Sequence, residues 1–153
     1  MNIAIVGGRD FSDYTLLKER LSRYISIYGV PENILSGGAK GTDALAAQFA
    51  AEMDIPLLVF KPDYQKYGRG ATLVRNTQII ENADVVFAFW DGQSKGTKDS
   101  ITKAKKLQKE LHIISYGDVC FINLHPNGIL ELQKKLHLPK NSKNTGKAEN
   151  LSE

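Results

Sequence analysis

Residues 34–54 read ILSGGAKGTDALAAQFAAEMD, and the reading of this stretch decides the fold. Ile34 and Leu35 form a short apolar run that breaks into Ser36, Gly37 and Gly38, then Gly41, Thr42 and Asp43 lead into an alanine-rich helical pattern. The order is strand, glycine loop, helix start. Glycine lets the backbone turn sharply and approach a ligand closely, while the free N–H groups and positive end of the following helix favour an anion. Phosphate is the natural occupant of such a place. The spacing is neither G-x-G-x-x-G nor G-x-x-x-x-G-K-[ST], so neither of those fingerprints applies. A tight strand-to-helix turn without any ligand also explains these glycines.

A second glycine loop lies further along. Residues 84–90, DVVFAFW, form an apolar strand that stops abruptly in DGQSKGTKDS. There Gly92 and Gly96 free the backbone, Lys95 and Lys98 supply cations, and Thr97 is placed to cap the next helix with Asp99 in its first turn. Toward the N-terminus, residues 3–6 are a continuous apolar run, as expected of a strand buried on both faces of a parallel sheet, and they end in Gly7, Gly8, Arg9 and Asp10. Arg9 stands either against a phosphate or in a surface pair with Asp10 or Asp13. A doubly wound sheet sets such loops side by side at the C-terminal ends of its strands.

The intervening segments read as helices and strands in alternation. Ser12 is placed to cap a helix whose apolar residues Leu17, Leu21, Tyr24, Ile25 and Tyr28 recur at helical spacing until Gly29 and Pro31. Leu45, Phe49 and Met53 make a core stripe on the second helix, and Ala46, Ala47, Ala50 and Ala51 let it lie close to the sheet. Residues 55–60 read as a third strand with a long polar exit, KPDYQKYGRGAT, carrying Tyr64 and Tyr67. The helix expected over 71–82 presents Leu73, Val74, Ile79 and Ile80 to the core and sets Arg75 and Asn76 near its first turns. Arg75 either reaches the crevice or is an exposed helix arginine. Trp90 either stacks a base at the strand end or belongs to the core. Ile101, Ala104, Leu107 and Leu111 carry a further helix, and residues 112–116 a fifth strand, with His112 structural. Beyond it, residues 119–124 suit an extra edge strand, 126–136 a short helix, and 139 onward a disordered polar tail.

Composition narrows the function classes. The 153 residues, 42% of them hydrophobic, suit one domain over residues 1–138 with its own core. The net charge of +3 is modest and partly in the tail (Lys140, Lys143, Lys147), so nucleic acid is not the expected partner. One cysteine, Cys120, and three scattered histidines offer neither an internal disulfide nor metal-ligand spacing, so no metal and no cofactor are expected. No apolar run approaches the roughly 18 residues that span a bilayer, and residues 1–7 lack a basic leader pattern, so a cytoplasmic protein without membrane contact is expected.

The stretches IAIVGGRDFSDYTLL, ILSGGAKGTDALA, YGRGATLVRN and ADVVFAFWDGQSKGTKDSI, in this order, resemble the SLOG superfamily of Rossmann-like nucleotide-binding domains, in particular its small YspA-like bacterial and phage members. The resemblance covers about residues 1 to 116. Relatives include the Lonely-guy phosphoribohydrolases, the DprA/Smf DNA-processing proteins, and modules that sense NAD-derived signals such as cyclic ADP-ribose. The Lonely-guy second loop is similar to P-G-G-x-G-T-x-x-E, whose glutamate assists cleavage of the bond from base to ribose. Here Gly96 and Thr97 match G-T, Arg75 matches the arginine of an R-K pair whose lysine is replaced by Asn76, and the glutamate position is Ser100. A serine cannot act as a carboxylate base, so hydrolysis is not expected unless Asp99 or Asp91 substitutes.

The expectation is an α/β, Rossmann-like doubly wound parallel sheet of about five strands with helices on both faces. It captures a phosphate-bearing nucleotide derivative of ADP-ribose or cyclic nucleotide type. Gly7, Gly8 and Arg9, then Ser36, Gly37, Gly38, Gly41 and Thr42, and Gly96 with Thr97 line the phosphate or ribose. Arg75 forms a cationic clamp, Asn76 beside it also contacts the ligand, Tyr67 or Trp90 gives a stacking face, and Asp43 and Asp91 accept ribose hydroxyls. The Lonely-guy relatives pair across a two-fold axis, which implies a homodimer or higher homo-oligomer.

Overall fold

The computed structural model describes residues 1–117 and the backbone of residues 121–124 and 130–133. Strands β1 (Asn2–Gly7), β2 (Asn33–Ser36), β3 (Leu57–Val59), β4 (Val85–Trp90) and β5 (Glu110–Ser115) form one sheet in the order β3-β2-β1-β4-β5. All four pairings are parallel. The chain winds from β1 outward to β3, then crosses back to place β4 on the other side of β1. The strand order therefore reverses between β1 and β4, and an open α/β sheet forms its ligand crevice at that reversal, beyond the carboxyl ends of the strands.

Helices cover both faces. Helices α1 (Tyr14–Tyr28) and α2 (Thr42–Glu52) pack on one face, where Leu17, Leu21, Phe49 and Ala46 meet Ile3, Ile5, Phe87 and Phe89. Helices α4 (Ala71–Asn82) and α5 (Lys95–Lys106) pack on the other, where Ile79, Ile80, Ile101 and Ala104 meet Ala4, Val6, Val86 and Ala88. Alternate residues of β1 and β4 point to opposite faces, and both sets are buried, so each strand reads as an unbroken apolar run. Between β3 and α4 the chain forms a short helix, α3 (Tyr64–Tyr67), and a 3-10 turn (Gly68–Gly70).

Several local expectations are corrected. Asp13, not Ser12, caps α1, its carboxylate accepting from the Leu16 N–H at 3.0 Å. Strand β3 is three residues long at the sheet edge, so Leu58 and Val59 stay exposed. Met53 ends α2 and is exposed, leaving Phe49 to fill that contact. Leu73 and Leu107 are exposed rather than core-facing, and Leu111 belongs to β5, which starts at Glu110. Residues 121–124 are a strand, as expected, but they form a separate two-stranded antiparallel sheet with Leu130–Gln133 and not an edge of the main sheet. That pairing overturns the helix expected over 126–136, because a continuous helix cannot supply the ladder bonds of residues 130–133. The expected tail from residue 139 lies outside the described residues.

Candidate functional site

The C-terminal ends of β1, β2 and β4 deliver three loops to one side of the sheet, and α4 closes the gap between the second and third. Together they enclose a cavity of about 520 Å³. Of the residues read from the sequence, Gly7, Gly8, Arg9, Gly37, Asp43, Arg75, Asn76, Asp91, Gly96 and Thr97 line it. Ser36, Gly38, Gly41, Thr42, Tyr67 and Trp90 do not.

Those six have other duties, and the reasons are steric. Thr42 is fully buried; its N–H and its Oγ1 both donate to the Gly8 carbonyl, at 3.1 and 3.0 Å, and so tie the first loop to the start of α2. Gly41 stands at φ +68°, and a Cβ there would lie 2.5 Å from the Gly8 carbonyl oxygen. It is glycine because two loops cross at that point. Gly38 has φ +69° and faces Val59 on the edge strand, while the buried Ser36 ends β2 beneath it, its hydroxyl taking the Gly38 N–H at 3.4 Å. Trp90 packs against the α4/α5 side of the core, and its indole N–H donates to the Ser94 carbonyl at 3.1 Å. It braces the third loop and presents no face to the cavity. Tyr67 lies beyond α4, on a smaller cavity of about 150 Å³.

Arg75 is the main departure from a surface arginine. Only 9% exposed, it donates from Nη1 to the Gly37 carbonyl at 2.8 Å and from Nε to Asn76 Oδ1 at 3.1 Å. Its guanidinium thus fastens the second loop to α4 and lines the cavity at the same time. Gly37 is required beside it, since a Cβ would meet Arg75 Cζ at 2.8 Å. Asp43 completes this wall, its Oδ2 accepting from the Ala39 N–H at 3.0 Å. Burial pushes the Asp43 carboxyl above the ordinary aspartate range, against the opposing pull of the Ala39 N–H and the Arg75 charge.

The third loop carries the free donors. Asp91 Oδ1 accepts from the N–H groups of Ser94 and Gln93, each at 2.8 Å, and these two bonds hold its carboxyl below the usual range. Ser94, not Thr97, is the residue that opens α5, and its side chain does not cap the helix. The first intrahelical bond runs from the Lys98 N–H to the Ser94 carbonyl at 3.0 Å. The N–H groups of Lys95, Gly96 and Thr97 precede it and have no acceptor within the helix, and all three residues line the cavity. Buried Thr97 sits one turn in, bonded through Oγ1 to Ser94 Oγ at 3.2 Å.

Sequence reasoning passed over Asp10, Ala39, Thr72 and Ser94, which also line the cavity. Asp10 accepts from the Tyr116 hydroxyl at 2.8 Å, and burial followed by that bond raises the Tyr116 pKa. A polar residue directly after Gly-Gly-Arg was the signal available for Asp10. Ser100, at the glutamate position of the Lonely-guy pattern, lines the cavity and is buried. Asp99 turns away from it, bonded to Asn76 Nδ2 at 3.1 Å and to Lys103 Nζ at 2.7 Å. The substitution of Asp99 for the missing glutamate is therefore unsupported by the geometry. Among the described residues no group of three histidine, cysteine or acidic side chains is placed to hold a metal, and no helix is long and apolar enough to cross a membrane.

A doubly wound parallel sheet with its cavity at the strand reversal defines a Rossmann-like α/β protein. Residues 1–67 match the model of the YspA, cpYpsA-related SLOG family, in agreement with the resemblance carried by the first two motifs. Among solved structures the chain is similar to DNA processing protein A from Helicobacter pylori, described for its single-stranded DNA binding mode, at 25% identity and a TM-score of 0.57. That likeness covers 74% of this chain and 64% of the Helicobacter protein, so the chain spans less than two thirds of that protein's length. It shares its fold with TM1055 at 22% identity and a TM-score of 0.52, covering 72% of this chain and 71% of the other. No curated protein matches the chain.

Proposed function

We infer that this protein binds a phosphate-bearing nucleotide derivative of ADP-ribose or cyclic nucleotide type, and that it captures this ligand without converting it. The observation that carries the reading is the uncapped start of α5, whose Lys95, Gly96 and Thr97 N–H groups border a cavity of about 520 Å³ together with the Lys95 side chain. Such a helix start attracts a phosphoryl oxygen through its dipole and its unpaired donors. Asp43 on the opposite wall and Asp91 beside the start of α5 supply acceptors for ribose hydroxyls. Capture without hydrolysis rests on Ser100 at the glutamate position and on Asp99 being held by Asn76 and Lys103. The superfamily resemblance suggests the biological use, sequestering or sensing a nucleotide immune signal in the cytoplasm, with a homodimer as the acting unit.

Thermal melting against AMP, ADP-ribose and cyclic ADP-ribose tests the binding, since a ligand that binds only the folded state raises the melting temperature by mass action. A flat response to all three at millimolar concentration overturns the reading. Release of free base from AMP would overturn capture in favour of phosphoribohydrolysis.

Single-stranded DNA binding is a second reading, favoured by one observation besides the Helicobacter likeness. Tyr64 and Tyr67 are exposed at the two ends of α3, in the segment that also carries Lys61, Lys66 and Arg69, and aromatic rings interleaved with cations stack unpaired bases. A gel shift with a strong salt dependence would support it.

A further inference from the structure

Four hydroxyl side chains line the main cavity, and three of them have company. Thr97 and Ser94 bond each other at 3.2 Å, and Thr72 is half-buried within reach of water. Ser100 differs. It is 2% exposed, and among the described residues its hydroxyl has no hydrogen-bond partner. A hydroxyl inside a helix commonly turns back to the carbonyl four residues earlier. Thr77 does so to Leu73 at 3.1 Å and Thr102 to Lys98 at 2.8 Å. Ser100 makes no such bond, and the Gly96 carbonyl four residues before it receives the Asn76 side-chain amide instead, at 3.5 Å.

An unpaired buried hydroxyl costs stability that alanine at the same place would not. On the wall of a cavity, such a group is accounted for by a ligand that completes it. The start of the same helix points the same way, since the Lys95, Gly96 and Thr97 N–H groups have no acceptor within α5 and border the same cavity. Ser100 is three residues beyond Thr97, which sets it about 4.5 Å further along the axis. A phosphoryl group on those amides stands outside the first turn, and the part of a nucleotide that follows it, the ribose, comes level with Ser100. No aromatic side chain lines the cavity to stack a base there.

We propose that Ser100 hydrogen-bonds one ribose hydroxyl of the bound nucleotide and makes the site selective for ribose over its deoxy forms. This rests on the nucleotide reading above, and it leaves Asp43 and Asp91 for the other hydroxyl. Serine at this position is then a binding residue in its own right and not merely the place where a carboxylate is missing.

Calorimetry with AMP, 2′-deoxy-AMP and 3′-deoxy-AMP tests it on wild type, Ser100→Ala and a Thr102→Val control, alongside melting of the unliganded proteins. Thr102 is exposed on the same helix and does not line the cavity, so the control reports the loss of a helical hydroxyl elsewhere. Wild type should bind one of the two deoxy forms about tenfold more weakly than AMP, the scale of one hydrogen bond whose partner stays buried. Ser100→Ala should bind AMP about tenfold more weakly than wild type does and should bind that same deoxy form as well as it binds AMP, while Thr102→Val should bind like wild type. Unliganded Ser100→Ala should melt no lower than wild type, because alanine removes a hydroxyl that nothing in the fold pairs. A fall of more than about 3 °C would show the hydroxyl bonded within the fold and would overturn the proposal. Equal binding of all three nucleotides by wild type, or a preference for AMP that survives in Ser100→Ala, overturns the ribose contact and leaves nucleotide binding standing. Binding of none of the three removes the nucleotide reading and the ribose contact together.

Discussion

Replacing Arg75 by alanine separates a framework residue from a ligand residue. The side chain is nearly buried and makes two hydrogen bonds, one to the Gly37 carbonyl and one to Asn76 Oδ1. Truncation removes both and leaves the buried Gly37 carbonyl without its charged donor, and Asp43 without the nearest opposing charge. Each lost charge-assisted bond is worth about 1.5 to 3 kcal/mol, and an orphaned buried acceptor adds to the deficit, so the loss should be about 3 to 5 kcal/mol. For a chain of this size that lowers the melting temperature by about 10 to 15 °C. Differential scanning calorimetry on wild type, Arg75→Ala and Arg75→Lys measures it. Lysine carries a single ammonium on a flexible stem and cannot reproduce the two-acceptor geometry, so Arg75→Lys should recover less than half of the loss. A drop of less than about 3 °C in Arg75→Ala would refute the framework reasoning and return the guanidinium to the ligand alone.

Gly41→Ala should destabilise by about 2 to 4 kcal/mol, because its Cβ would enter the backbone of Gly8 and Arg9 at a positive φ; urea unfolding reads this directly. Gly38→Ala is strained by its φ of +69° and would press on Val59, so its melting temperature should fall although Gly38 does not line the cavity; unchanged melting would refute the packing role. Because burial raises the Asp43 pKa, the stability this group contributes is full below the ordinary aspartate range and is lost as the pH rises through the raised value. Relative to wild type, Asp43→Asn should therefore melt higher at about pH 8 than it does at about pH 4, and a pH-independent difference would refute the buried carboxylate. Trp90, the single tryptophan, bonds to Ser94 at the mouth of α5, so a phosphate ligand seated there should change its emission, and AMP titration without any spectral change would count against that seat.

The parts of this protein legible in the sequence were those fixed by short-range chemistry. The apolar runs of β1 and β4 are buried on both faces, the pattern that a parallel sheet covered by helices on both sides produces. Helix α4 spans the expected 71–82, because a glycine-rich turn precedes it and the apolar spacing ends at Asn82. Ten of the residues chosen for the site line one cavity, since loops that follow parallel strands all emerge on the same side.

What needed the tertiary structure were contacts between residues far apart in the chain. Arg75 and Gly37 are 38 positions apart, and no local pattern tells a buried guanidinium from a solvated one. Gly7, Gly37 and Gly41 are read from sequence as room for a ligand, yet each is also the only residue that fits beside Phe89, Arg75 or the first loop. Asp43 looks like an acceptor for ribose and is also the carboxylate that occupies the anion position before α2. Local sequence sets which conformations a segment can adopt at low cost. Which of two equally cheap duties a glycine or a charge performs depends on what the fold brings against it, and that is decided by packing.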